Sequence, residues 1–199
     1  MLHTRESTTL PGKCVNTCFI AIVFTVLLPL LQFFHDQFFY QRYLIEAGDI
    51  WRLWTGNFVH TNFWHLTLNL AGIWLLVFIT PSNDSKLVQL LQIAWLATCV
   101  GLGIWFMSPA VIWYVGFSGI LYGLFMLGGI RLLFQRDWLM AGFILLGICG
   151  KTLWDWQQGG LSPTSALIEA PVLYAAHLYG MSGSLLLGIL NLFQQHGKS

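Results

Sequence analysis

The fold class predicted by this sequence of 199 residues is an all-α membrane protein, a bundle of six transmembrane helices. Three observations predict it. Charged residues make up 9% of the chain and hydrophobic residues 56%, whereas a soluble domain carries about 25% charged residues. So little charge leaves too little polar surface to keep a folded chain in water. The apolar residues gather into six stretches, most of them near the ~20 residues that cross a ~30 Å hydrocarbon core. Lysine and arginine sit between the stretches and in the tails. The net charge of +1 gives no reason to expect a nucleic-acid partner.

Taken in order, residues 1–13 form a short polar tail, and Val15 to Phe34 is the first span, free of charge. No small-residue cleavage pattern follows Leu10-Pro11-Gly12, so this helix is expected to be retained rather than removed as a signal peptide. The second span runs from Phe63 to Thr80 and the third from Leu87 to Met107. Gly116 to Ile130 is a short fourth span closed by Arg131. The fifth starts at Trp138 and runs through Gly150 to about Trp154, and Pro171 to Phe193 is the sixth. One domain is expected over 14–195, with a second tail at 196–199. Cys14, Cys18, Cys99 and Cys149 lie in or beside apolar runs and read as small membrane-buried hydrophobes. No CxxC pair or other metal-ligand spacing occurs among them, so neither a metal nor a cofactor is expected.

Six spans put both termini on one side of the membrane. That side collects Arg5, Lys13, Lys86, Arg131, Arg136 and Lys198, against Arg42, Arg52 and Lys151 on the other. The excess predicts cytoplasmic termini. The 35–62 and 155–170 connections then face outward, and the aromatics of 35–62 predict a structured interfacial loop.

Polar side chains inside spans are costly, and each is a functional hypothesis. Ser118 lies 13 residues before Arg131, roughly 20 Å of helical rise. His177 stands 16 residues before Phe193, roughly 24 Å. Asn69 and His65 are 11 and 15 residues before Thr80, roughly 17 and 22 Å. Three helices therefore bring polar groups to one height in the outer half of the bilayer. Gly119 and Gly123 form a GxxxG, and Gly180 and Gly183 follow His177, so the fourth and sixth helices can approach closely. Ser118 opens its helix, where free N–H groups suit an oxyanion. His65 and Asn69, at i and i+4, share one helix face.

Each of these residues also has a plain structural reading. A serine between glycines usually packs helices, and a membrane histidine is commonly a hydrogen-bonded structural group. His60, Trp51 and Arg52 are read as structural. Gly-Phe-Ser-Gly is not the GxSxG elbow, because Ile120 takes the last position. The weight rests on the combination of Ser, His, His and Asn at one depth.

WR at 51–52, HxxxN at 65–69, GxSG at 116–119 and AHxxG at 176–180 occur in this order. In them the chain resembles the rhomboid family of intramembrane serine proteases, over nearly its whole length from about residue 15. Its compact size and the run GDIWRLWTGNFVHTNFWHLTLNLAG look most like the rhombosortase branch. The resemblance implies a six-helix rhomboid-like fold and a dyad, with Ser118 as nucleophile and His177 as general base. It further implies an oxyanion hole from His65, Asn69 and the Ser118 N–H. Gly116 and Gly119 flank the serine, Tyr122 packs on the base, and Gly180 lets the helices meet. Ser184 departs from the family's second small glycine, and the contact is expected to survive. The implied substrates are transmembrane proteins, most specifically exported proteins with a C-terminal Gly-Gly, hydrophobic helix and basic tail. The implied place is the inner membrane of a Gram-negative cell, with the site open to the periplasm. The alternatives are a non-catalytic rhomboid-like protein that binds transmembrane helices, and a small transporter. The first would normally have lost the serine or the histidine; the second would spread polar groups over several depths.

Overall fold

The computed structural model describes residues 11–196, with side chains over 15–188. The expected tails at 1–13 and 196–199, the charges counted on them, and Cys14 lie outside the described side chains.

Ten helices follow one another among the described residues: α1 (Pro11–Leu31), α2 (His35–Phe38), α3 (Arg42–Glu46), α4 (Arg52–Thr55), α5 (Phe63–Ile79), α6 (Lys86–Met107), α7 (Ser118–Phe134), α8 (Trp138–Gln157), α9 (Pro163–Ile168) and α10 (Tyr174–His196). A two-residue antiparallel ladder joins β1 (Tyr40–Gln41) to β2 (Trp113–Tyr114), with Tyr40 opposite Tyr114. The six long helices coincide with the six apolar stretches of the sequence. Val15–Phe38, Lys86–Met107 and Trp138–Gln157 are each long and apolar enough to cross a membrane. Arg52–Phe58 and Phe63–Ile79 together make a further apolar stretch, bent by 85°. The protein is an all-α multi-pass membrane protein.

Local chemistry explains where helices begin. The Asn62 side chain accepts the His65 N–H at 2.9 Å and starts α5. Ser85 and Asp137 cap α6 and α8 in the same way. Helix α7 has no side-chain cap, so its first N–H groups are left for another partner. It also starts at Ser118 rather than at the expected Gly116. Gly116 has φ +127°, outside the helical region.

The core joins α1, α5, α6 and α7 through Phe24, Leu28, Leu66, Leu96, Phe117 and Ile120. A second cluster holds Tyr40, Leu53, Val100, Ile104, Tyr114 and Ala176, seating the 35–62 segment on α6 and α10. Arg42 donates to the carbonyls of Ile104, Trp105, Ser108 and Val111, closing the end of α6. Outward-turned Leu139, Phe143 and Leu146 on α8 are more than 70% exposed, as suits a helix face bathed in acyl chains. Cys149 is exposed on the same helix.

Candidate active site

Helices α7 and α10 meet through glycine. A Cβ on Gly180 would overlap the Gly119 carbonyl, and one on Gly123 would lie 2.8 Å from the Gly180 carbonyl oxygen. Fully buried Ser184 donates from Oγ to the Gly123 carbonyl at 2.5 Å, so the expected contact at this departure from the family pattern is present. This close packing sets Ser118 Oγ 3.1 Å from His177 Nε2. The Tyr122 ring lies on the His177 ring, centroids 3.9 Å apart and planes within 4°. Stacking fixes the imidazole plane, and Nε2 is thereby aimed at the serine.

The loop before α7 is held as firmly. The Tyr114 hydroxyl donates to the Gly116 carbonyl at 2.7 Å, and the Gly116 N–H donates to Gly56 O at 3.1 Å. Gly116 is required twice. Its φ is left-handed, and a Cβ there would stand 2.8 Å from His65 Nε2. Nε2 of His65 therefore faces the Gly116–Ser118 turn. Nδ1 of the same ring faces Thr61, 3.1 Å from its hydroxyl and 3.5 Å from its N–H. Asn69 donates one amide hydrogen to His65 O at 3.0 Å and keeps the other.

Two cavities open on Ser118. One of about 190 Å³ is lined by His65, Asn69, Ser118, Tyr122, Lys151 and His177. The other, of about 380 Å³, is lined by Thr61, His65, Tyr114, Ser118, Ile168 and Val172 among others. The structure thus brings Ser118, His177, His65, Asn69, Gly116, Gly119, Tyr122 and Gly180 into one site. His60, set apart as structural, is bonded to Gln32 through its N–H at 3.0 Å and Nδ1 at 3.1 Å. Its ring meets the His65 ring edge-on at 5.0 Å. Arg52 is buried, donating to Asp36 O, Phe39 O and the Asp49 carboxylate.

A family model described as the Rhomboid domain matches residues 47–193. The chain belongs to the rhomboid family. No curated protein matches it. Rhomboid proteins are in general intramembrane serine proteases acting on transmembrane substrates in the bilayer.

Two features of this rhomboid site escaped the sequence reading. Thr61 ties His65 to the segment around α9: its hydroxyl donates to Ile168 O at 2.6 Å, and Asn62 Nδ2 donates to Leu167 O at 3.1 Å. Only packing reveals that tie. The second is Lys151 and Asp155 on α8, where Nζ reaches both carboxylate oxygens at 2.5 and 2.6 Å. Their signal was available as opposite charges at i and i+4 where the fifth span ends.

Proposed function

We propose that the protein is an intramembrane serine endopeptidase of the rhombosortase type. Its six long helices all cross the bacterial inner membrane, with both termini in the cytoplasm and the 35–62 segment and the active site facing the periplasm. The substrates are exported proteins anchored by a C-terminal Gly-Gly, hydrophobic helix and basic tail. Cleavage falls near the outer end of that helix, where small residues unwind most readily.

The observation that carries this reading is the 3.1 Å contact between Ser118 Oγ and His177 Nε2 across a glycine-sealed helix interface. A serine hydroxyl becomes a useful nucleophile when an adjacent base takes its proton. Ser118 Oγ attacks the scissile carbonyl carbon as His177 Nε2 accepts the hydroxyl proton. The C–N bond then breaks, and His177 returns that proton to the leaving amine. Water, activated by the same nitrogen, hydrolyses the acyl ester and frees Ser118.

The developing oxyanion falls before the uncapped start of α7, where the Ser118 N–H points. Asn69 offers its free amide hydrogen from the cavity wall. His65 donates through Nε2 in the tautomer whose Nδ1 accepts from the Thr61 N–H.

The test has two arms. A fluorophosphonate should label the parent protein and leave Ser118→Ala unlabelled. Co-expression with Gly-Gly-tailed proteins should yield products whose new C-termini, read by mass spectrometry, map to the outer end of the substrate helix. Labelling of Ser118→Ala equal to the parent would remove the dyad. Cuts in the cytoplasmic half would remove the topology.

A further inference from the structure

A threonine hydroxyl donates once and accepts twice, and at Thr61 two neighbours compete for its single hydrogen. Ile168 O is a carbonyl, so at 2.6 Å it takes the Thr61 hydroxyl hydrogen. The same oxygen lies 3.1 Å from His65 Nδ1. With its hydrogen spent on Ile168, Thr61 can meet that nitrogen only as an acceptor. The bond then requires the His65 hydrogen to sit on Nδ1. The opposite tautomer, with Nδ1 bare, is left with the Thr61 N–H at 3.5 Å, beyond the usual hydrogen-bond range. Yet Nε2 is the nitrogen that faces the Gly116–Ser118 turn, and an oxyanion donor needs its hydrogen there. While Ile168 O is in place, the shorter contact holds that hydrogen on the wrong side of the ring.

The seating of α9 shows what can release Thr61. Of the six residues in this helix one, Ile168, is buried, while Leu167 and the flanking Leu161 are exposed. Segments with so little buried apolar surface open locally at low cost. Ile168 and Val172 also line both of the cavities that meet at Ser118. A chain that reaches the serine through either cavity therefore runs against Ile168.

We propose that Thr61 is a positioning residue that couples α9 to the oxyanion donor His65. Seated α9 draws the hydroxyl hydrogen to Ile168 O; α9 lifted by substrate returns it to His65 Nδ1, which fixes the ring hydrogen on Nε2. The inference rests on the reading of His65 as an oxyanion donor, and adds that the donor is set only when the site is occupied. Thr61 and His65 both line the cavity of about 380 Å³, which has ample room for water. Water takes the hydrogen from Nδ1 and gives one to Nε2, so the ring stays neutral and no proton is gained or lost.

The experiment is ¹⁵N-NMR of the histidine rings in detergent-solubilised full-length protein at neutral pH, which reads the nitrogen that bears the hydrogen. His65→Gln identifies the His65 signals by their loss. The parent should carry the hydrogen on Nδ1, and Thr61→Ser, which keeps the hydroxyl, should match it. Thr61→Val removes the acceptor and keeps the main-chain N–H, so the hydrogen should move to Nε2 and the two nitrogen signals should exchange positions. Fluorophosphonate on Ser118 should produce the same exchange in the parent, with faster limited proteolysis in the 158–173 segment. A parent with the hydrogen already on Nε2 would overturn the proposal by itself, without any variant. A labelled parent that keeps it on Nδ1 would do the same. Faster proteolysis of Thr61→Val with an unchanged tautomer would leave a purely structural tie and also overturn it. A parent that is never labelled defeats the dyad reading instead, and the unlabelled parent and Thr61→Val spectra still decide the role of Thr61.

Discussion

The two ends of α7 are built on opposite rules. At its C-terminal end, Arg131 donates to Ser82 Oγ at 2.9 Å and to the Asp84 carboxylate at 2.5 Å, and Gln92 adds a bond to that carboxylate at 2.8 Å. Gln89 donates to Asp84 O, and Thr17 is bonded to Ser82 O. The cavity there is about 60 Å³. At the N-terminal end, cavities of about 190 and 380 Å³ open on Ser118. The buried side-chain atoms left without a partner include Nδ1 of His177 and Nε2 of His60, and none belongs to the Asp84 network. Buried polar groups are normally satisfied. The difference teaches that one end spends its hydrogen-bonding capacity on holding α1, α6 and α7 together, and the other leaves an Asn69 amide hydrogen and the uncapped start of α7 beside open cavities.

The largest break in that contrast is chemical. Ser118→Ala should abolish proteolysis and labelling while the protein stays folded, since it removes one oxygen and little volume. His177→Ala should be nearly as damaging, because the two groups act as one unit; activity assays beside circular dichroism check both. Gly180→Val attacks the same end through packing. Its side chain has nowhere to go but into the Gly119 carbonyl, so α7 and α10 must part. The expected outcome is lost labelling and a lower Tm, from an overpacking cost of roughly 1–3 kcal/mol. Unchanged labelling in Gly180→Val would mean that the glycine contact does not set the dyad.

Smaller effects sharpen the comparison. Asn69→Ala should lower kcat on the order of 10²–10³ for a lost oxyanion donor, with folding intact. Matching the loss seen in His177→Ala would contradict the division of roles. Thr61→Val deletes the bond to Ile168 O. One hydrogen bond of about 1 kcal/mol predicts roughly fivefold faster limited proteolysis in the 158–173 segment. An unchanged rate would show that the tie to α9 holds nothing.

The smallest effect belongs to the satisfied end. Burial acts to raise the Asp84 carboxyl, but Arg131, with Gln92 and Ser82, carries it below its ordinary value. A carboxyl depressed on folding adds stability that is fully present above its unfolded pKa of about 3.9. That stability is lost as pH falls through the lower folded value. Tm measured down an acid series should therefore drop in that window in the parent, and the drop should shrink in Asp84→Asn. Labelling of Ser118 at neutral pH should be little changed in Asp84→Asn, because the network lies roughly 20 Å of helix rise away.

Much of the fold was legible from residues alone. The six long helices match the six apolar stretches, because a run of apolar side chains is a local signal, and Asn62, Ser85 and Asp137 stand where three of them open. The candidate site was legible as a set, since counting along helices placed Ser118, His177, His65 and Asn69 at one height. The start of α7 was misplaced by two residues because Gly116 is apolar enough to read as helix, yet it takes a left-handed φ to pass His65.

By itself, then, the sequence determined which segments form the six long helices and where their polar groups stand along each axis. These follow from hydrogen bonding and apolarity within one stretch of chain. Only the tertiary structure decided how each helix is rotated about its axis. That rotation put Lys151 on the cavity that His177 lines, put Thr61 against Ile168 O, and turned His65 Nε2 towards the Gly116–Ser118 turn. Spacing at i and i+4 shows that two residues share a face, but which neighbour that face meets is settled by packing. Here the deciding contact is Gly180 against the Gly119 carbonyl, between residues 61 positions apart.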